Sequence, residues 1–442
     1  MPTPLYSWLT DPLVRTEHLE RTLPPDYFTL LRLISDAAAA RGLPLYLVGG
    51  FVRDLYLGRP VTDFDVVVEG DAIALAKALA AQHGGRVTVH VRFGTAQWFL
   101  PESLVIGRGS SEIPDLRLST LDIISARSET YKHPAALPTV RPGSISDDLH
   151  RRDFTINTLA LRLDGEAFGE LRDDLGGLED LQAEIVRVIH PGSFLDDPTR
   201  LFRALRYEQR YGFQIAPETL SLIPAARPLI AKLSAERVRH ELDLTLEEEN
   251  AASIVERLAE LGILAAVHPA LGWNRANATR FVKGMAAEQD IEHPLSRRML
   301  GWTLWLMDVP LPSLENIEQR LHFESSLRDL LLAASALFAD VKSFTGKKPS
   351  RCVVILDEIP LKAVQAVSLA LTPGTGRQML RDYLVTWRHV KPKTTGHTLL
   401  KRGIPPGPMY QKILGALRDA WLDGEIKTEA EEMDLLQELI QP

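Results

Sequence analysis

Residues 46–69 read Tyr46-Leu47-Val48-Gly49-Gly50-Phe51-Val52-Arg53-Asp54-Leu55-Tyr56-Leu57-Gly58-Arg59-Pro60-Val61-Thr62-Asp63-Phe64-Asp65-Val66-Val67-Val68-Glu69. The apolar run Leu45 to Val48 predicts a strand that ends in a Gly49-Gly50 turn. A short helical pattern follows, and Asp63-Phe64-Asp65 opens a second, β-branched strand through Val68. Strand residues two apart share a face, so Asp63 and Asp65 are expected to converge while Phe64 turns to the core. Two hard oxygen ligands suit Mg²⁺, which is usually held by one or two carboxylates together with substrate phosphates. The glycines would let backbone N–H groups approach a triphosphate closely, with Arg53 as a further phosphate partner. A plain turn before a polar strand start would leave the same letters, but not an arginine placed three residues after the glycines. A dinucleotide-binding fold is disfavoured because the chain holds no Gly-x-Gly-x-x-Gly.

The chain of 442 residues is too long for one ordinary core, and two to four domains are expected. An apolar content of 45% with 24% charged residues is that of a globular protein. No signal-peptide pattern and no membrane-length apolar run is evident, so a cytoplasmic location without membrane association is expected. The single cysteine, Cys352, excludes an internal disulfide and a thiolate zinc cluster. A net charge of −8 argues against indiscriminate nucleic-acid binding, though a local basic groove stays compatible with it.

Upstream of the opening stretch, Tyr27 to Ala40 has an amphipathic pattern that stops at Gly42. Downstream, Asp71 to Gln82 reads as a helix closed by Gly84-Gly85. Arg86 to His90, Thr95 to Leu100 and Leu121 to Ser125 read as strands, with a polar loop around Ile106 to Ile113. The first 165 residues are therefore expected to form an α+β domain around a small mixed sheet. Asp122, on the third of these strands, is placed either to complete a metal site and take a proton from an attacking hydroxyl, or to cap a loop. Arg127 to His150 is polar and proline-punctuated, as functional loops are. Arg151 to Ala160 reads as an amphipathic helix. There Arg152 would meet phosphate, while Asp153 and Asn157, four apart, would meet ribose hydroxyls; a capped helix with a surface ion pair has the same spacing. Arginines then recur at 200, 203, 206 and 210 on a helix whose start is marked by Asp196 and Pro198, a pattern also found on solvated faces.

Taken together, Leu47-Val48-Gly49-Gly50-x-Val52-Arg53-Asp54 with Asp63-x-Asp65 resembles the head of the class II tRNA nucleotidyltransferase and bacterial poly(A) polymerase family. Arg151-Arg152-Asp153 through Asn157 resembles that family's second motif, and Asp173-Asp174-Leu175-Gly176-Gly177 through Leu181 a third, linking one. Phe194-Leu195-Asp196-Asp197-Pro198-Thr199-Arg200 resembles its Glu-Asp-x-x-Arg motif, with Asp196 where glutamate is usual, and Ser234 to Leu242 its last. The resemblance implies a nucleotidyltransferase head like that of polymerase β, followed by an all-α neck, body and tail. The corresponding divisions are 1–165, 166–245, 246–370 and 371–442. It also implies that Arg127 to His150 is the family's flexible loop, whose undiminished length here disfavours an enzyme that adds only C.

In the resembled motif Asp197 and Arg200 read the base. Aspartate only accepts hydrogen bonds and arginine only donates. Asp197 would therefore take the exocyclic amine of cytosine or adenine, and Arg200 would serve the bare ring nitrogen. Uracil and guanine present the opposite order, and a buried polar site rejects such a mismatch by roughly 10⁴. Arg203 and Arg206 would serve the triphosphate or brace the readers. The implied activity is template-independent addition of CMP and AMP, from CTP and ATP, to the 3′ end of tRNA, with Asp63 and Asp65 holding Mg²⁺ and pyrophosphate leaving. An enzyme adding only the terminal A beside a separate CC-adding enzyme, a poly(A) polymerase, and a silent tRNA-binding protein are the alternatives. In the tail, Arg388, Lys391, Lys393, Lys401 and Arg402, interleaved with Trp387 and His397, would hold the tRNA through its phosphates or form a plain solvated surface. The acidic last helix is expected to face solvent.

Overall fold

The computed structural model describes residues 16–59 apart from 18, 22 and 24, and then 64–105, 118–287 and 294–440. Asp63 and the loop expected around Ile106 to Ile113 lie outside the described residues. The backbone divides into two compact units, Met1–Leu233 and Ser234–Pro442.

The first unit is built on helices α1 (Pro25–Ala39), α2 (Gly50–Tyr56) and α3 (Ala72–His83) and strands β1 (Leu45–Val48), β2 (Asp65–Val68), β3 (Arg86–His90), β4 (Thr95–Phe99) and β5 (Thr120–Ser125). Strands β6 (Arg127–Thr130) and β7 (Thr139–Pro142), helix α4 (Ile145–His150), and strands β8 (Ala160–Arg162) and β9 (Leu171–Arg172) follow. Seven strands make one mixed sheet in the order β3-β4-β5-β2-β1-β8-β9. Only β2 and β5 run parallel; the remaining neighbours are antiparallel. The sheet is larger than expected and continues through β9 past residue 165.

Val66, Val67 and Val68 are fully buried, as an uninterrupted β-branched run in a central strand requires. Helix α3 starts where Asp71 accepts from the Ala74 N–H at 2.9 Å and packs on β4 and β5. Helix α4 buries Ile145 and Leu149 against Tyr46, Val48, Val67 and Ala126. Ile124 joins this cluster, so α4 sits on the sheet face that Asp65 and Asp122 share by strand alternation.

Two segments differ from the sequence expectation. Arg127 to His150 is a paired hairpin, β6 with β7, followed by α4, whose Ser144 and Asp147 form a reciprocal cap. The prolines stand at its turn and edge, where no ladder N–H is needed. Arg151 to Ala160 is not a helix: it contains a single 3-10 turn, Thr155–Asn157, and then enters β8. Asp153 accepts from the Phe154 N–H at 2.9 Å, a local bond that competes with helix continuation, and Thr155, Ile156 and Thr158 are β-branched. Beyond β9, helices α5 (Gly177–Gln182), α6 (Ser193–Asp196) and α7 (Thr199–Tyr211) complete the elements that matter for the site.

The second unit is helical from Ala235–Glu247 to Glu429–Ile440. Trp302 and Trp305 stack with centroids 5.3 Å apart, and the Trp302 indole donates to Asp243 at 2.6 Å. Cys352 is buried, which pushes its thiol pKa up. The acidic last helix does not simply face solvent: Glu432 is 1% exposed. It accepts from the Lys393 and Thr394 N–H groups, the Thr394 hydroxyl and the Trp421 indole. Among the described residues no helix is long and apolar enough to cross a membrane.

Candidate active site

The parallel pairing of β2 with β5 puts Asp65 level with Asp122, and β4 adds Gln97 to the same row. Level residues on neighbouring strands point to one face, so the two carboxylates are side by side. Asp65 is exposed at the mouth of its strand, and Asp122 is half-buried. Leu47 pairs with Val66, so one further step brings Val48 level with Asp65 and the glycine turn just beyond it. Gly49 has φ +64° and ψ −120°, a conformation open essentially to glycine alone. A Cβ there would stand 2.3 Å from an Arg152 guanidinium nitrogen. Both Asp65 and Asp122 offer hard oxygen donors suited to a divalent cation. Among the described residues, which do not include Asp63, no group of three or more His, Cys, Asp or Glu is arranged to hold a metal.

Beneath the turn lies a buried polar chain. Arg53 is 4% exposed and directs its guanidinium inward, bidentate to Asp54 at 2.9 Å on each oxygen and onward to Asn157. Its face lies over the Tyr207 and Tyr211 rings. Asn157 donates to Asp153 at 2.8 Å, and Asp153 accepts from Arg203 Nε at 2.7 Å. Burial pushes the Asp153 carboxyl up, but Arg203, Asn157 and Arg200 outweigh it and hold its pKa down to about 2. The structure thus brings Arg53, Asp153, Asn157 and Arg203 into one network, although not through the expected helix. Arg152 lies between Asp148, at 3.1 Å, and the Gly49 turn.

The arginine row belongs to α7 and is turned mainly inward: Arg200 and Arg206 are buried. Asp196 ends α6 instead of capping α7. Asp197 stands just ahead of α7, its Oδ1 accepting from the Thr199 N–H and hydroxyl at 2.9 and 2.7 Å. Arg200 donates to Ser193 Oγ at 2.5 Å and to the Arg151 carbonyl at 2.7 Å, which fixes the plane of its guanidinium one turn from Asp197. In the third sequence motif, Asp173 caps α5 and Asp180 accepts from Thr155 at 2.6 Å, so both are structural ties.

In the second unit the basic residues divide. Arg388 Nε donates to the Leu384 carbonyl, Lys393 faces Glu429 at 3.8 Å, and Arg402 approaches Met433. Lys401 and Lys391 are exposed.

Sequence reasoning missed Asp148 and Glu129. Asp148 is fully buried and pairs with both Arg151 and Arg152; Glu129 takes Arg127, Arg151 and the Tyr131 hydroxyl. Asp148 precedes those arginines by three and four residues, a spacing that signals pairing. Glu129 had Arg127 and Tyr131 two residues to either side, on one strand face, but Arg151 reaches it from beyond the hairpin. Burial pushes the Tyr131 pKa up to about 12, helped by Glu129 and Asp197 against Arg200.

The sequence profile of the Poly A polymerase head domain matches residues 45–187, and that of a probable RNA and SrmB-binding site of polymerase A matches 212–273. An A-adding tRNA nucleotidyltransferase of Halalkalibacterium halodurans is 32% identical over 95% of this chain and 94% of its own. One of Geobacter sulfurreducens is 34% identical over 94% of this chain, which spans 47% of that longer protein. A CC-adding tRNA nucleotidyltransferase of Deinococcus radiodurans is 30% identical, with 89% and 88% covered. Among solved structures, the apo form II of a CCA-adding enzyme superposes with a TM-score of 0.79 at 27% identity, covering 96% of this chain and 98% of its own. The Thermotoga maritima CCA-adding enzyme complexed with tRNA matches at 0.74 and 26%, covering 96% and 97%, and further matches are complexes with ATP and with CTP. With the carboxylate row, the glycine turn and the α7 pair in one unit, and relatives aligned along nearly the whole chain, this protein belongs to the tRNA nucleotidyltransferase family, whose head it shares with poly(A) polymerase.

Proposed function

We propose that this enzyme adds the terminal AMP to the 3′ end of a tRNA that already ends in CC. The observation that carries the chemistry is the level placement of Asp65 and Asp122 beside the Gly49 turn. The 3′-hydroxyl attacks the α-phosphate of ATP in line, a new P–O bond forms, and pyrophosphate leaves. Asp122 is placed to receive the hydroxyl proton. Asp65, with Asp63 and Asp122, would hold Mg²⁺, which supplies charge neutralisation at the phosphates. Asp197 accepts the adenine amine hydrogen and Arg200 donates to the ring nitrogen, each fixed by its own anchor. Arg152 serves the triphosphate. Asp153 and Asn157 meet the ribose, while Arg53, Arg203 and Arg206 brace these groups from beneath. The basic residues of the second unit, Lys391 and Lys401 above all, contact tRNA phosphates.

Restriction to A is supported by the two A-adding relatives that align along almost the whole chain. Full CCA addition is the second reading, supported by the chain-long structural likeness to CCA-adding enzymes. The test is extension of three tRNA transcripts, ending before CCA, after C and after CC, with CTP, ATP or both. Growth of the CC-ended transcript alone, by one A, is expected. Completion of all three establishes the second reading, and growth of none overturns both.

A further inference from the structure

We propose that the groove between the turn Val91–Phe93 and the β6–β7 hairpin binds the single-stranded 3′ end of the RNA, the nucleotides just before its reacting hydroxyl; this rests on the reading above. The groove has a volume of about 490 Å³ and is lined by Arg92, Lys132, His133 and Leu137, with no acidic residue lining it among the described residues. Neither Arg92 nor Lys132 makes an ion pair among the described residues, whereas the neighbouring Arg127, Arg151 and Arg152 are all paired with carboxylates. In a chain of net charge −8, unneutralised cations gathered in one concavity create a local site for phosphodiester groups.

The apolar part of the surface fits the same ligand. Phe93 is 40% exposed, Val91 76% and Leu137 66%. The guanidinium groups of Arg92 and Arg127 stand 5.5 and 5.7 Å from the Phe93 centroid. A ring flanked by cations is a stacking platform for bases, and such platforms tolerate any sequence. Location supplies the third argument. Thr95, two residues after Phe93, is level with Ile124, and Ile124 lies two residues along β5 from Asp122, about 7 Å at the usual strand rise. An RNA that presents its last hydroxyl to the carboxylate row needs a path for the nucleotides before it, and this groove lies off the Thr95 end of β4, two residues from Gln97 in that row. The hairpin wall also touches α6, the short helix just before Asp197, since the Ala135 N–H donates to the Leu195 carbonyl at 3.1 Å.

The experiment measures binding of a CC-ended tRNA by fluorescence anisotropy, without nucleotide, for the full chain and two variants. One carries Arg92→Gln, Lys132→Gln and His133→Gln; the other carries Phe93→Leu. The charge variant is expected to bind about tenfold more weakly at low salt, with the slope of log affinity against log salt reduced by about 2. Phe93→Leu is expected to weaken binding several-fold without changing the slope, and KM for ATP is expected to stay within twofold in both. Because Lys132 and His133 are exposed at the hairpin, Lys132→Glu with His133→Glu provides a second charge variant that leaves the core untouched. Unchanged tRNA affinity, or a raised KM for ATP with tRNA affinity intact, overturns the proposal; the latter assigns the groove to the triphosphate. Wild-type binding that depends on the groove but yields no extension would instead overturn the functional reading and leave the groove standing.

Discussion

Asp153 is a carboxylate that burial alone would neutralise and that three cationic or amide neighbours keep ionised. Its folded pKa, about 2, lies below the unfolded value near 3.9, so its contribution is present above pH 4 and is lost as pH falls from about 4 toward 2. A carboxyl held down that far contributes about 3 kcal/mol. Asp153→Asn should cost about 3 kcal/mol in urea unfolding at pH 7, since Arg203 and Arg53 lose the anion that organises them, and should flatten the acid limb. At the carboxylate row, Asp122→Asn should cut nucleotide addition by about 10²-fold or more with unfolding unchanged. A loss below twofold would remove Asp122 from the chemistry and leave it a polar residue of the sheet. The Gly49 turn and the strand that opens at Asp65 were legible because a positive-φ turn calls for glycine and a buried central strand for a β-branched run. Asp148 was half legible, through its spacing to the arginines. Glu129 was legible only in part: Arg127 and Tyr131 stand two residues to either side of it, but Arg151 reaches it from 22 residues away.

At the scale of elements, local propensity and tertiary context agree in some places and conflict in others. The strand predictions rested on β-branched runs, and β2, β3, β4 and β5 lie where those runs are. The Arg151 to Ala160 string has helix-compatible spacing, yet Asp153 serves its own neighbour's N–H and Phe154 bridges to Val188, which pulls the chain out of helical geometry. The arginine row of α7 likewise looks solvated when only the helix is considered; the Ser193 hydroxyl and the Arg151 carbonyl that take Arg200 lie 7 and 49 residues away. The Gly49 turn joins β1 to α2 and is sensitive to substitution. Gly49→Ala meets both a backbone conformation foreign to alanine and the Arg152 guanidinium. It should destabilise by about 1–3 kcal/mol in thermal unfolding and raise KM for ATP more than KM for tRNA. Equal effects on both would show that the turn acts only on folding.

At the scale of the whole molecule, two compact units with different internal supports share one chain. The second unit's tail is closed by Glu432, which gathers four donors in a buried position. Burial pushes its pKa up, but the Thr394, Lys393 and Trp421 donors prevail and hold it below the ordinary glutamate value. The stability it lends is therefore present above that ordinary value and lost as pH falls below it. Glu432→Ala should cost about 3 kcal/mol or more, because the donors stay behind without an acceptor, and limited proteolysis should then cut first near residue 393. Little of this was legible, since a Glu-rich helix at a chain end has the composition of a solvated one. The lone cysteine gives the molecule a built-in clock for its second half. Cys352 is shielded within that unit and has no thiol competitor, so under pulse labelling with a maleimide the modification rate reads how often that half opens. Saturating ATP should leave that rate unchanged if the nucleotide grips only the first unit, and should slow it if the halves breathe together.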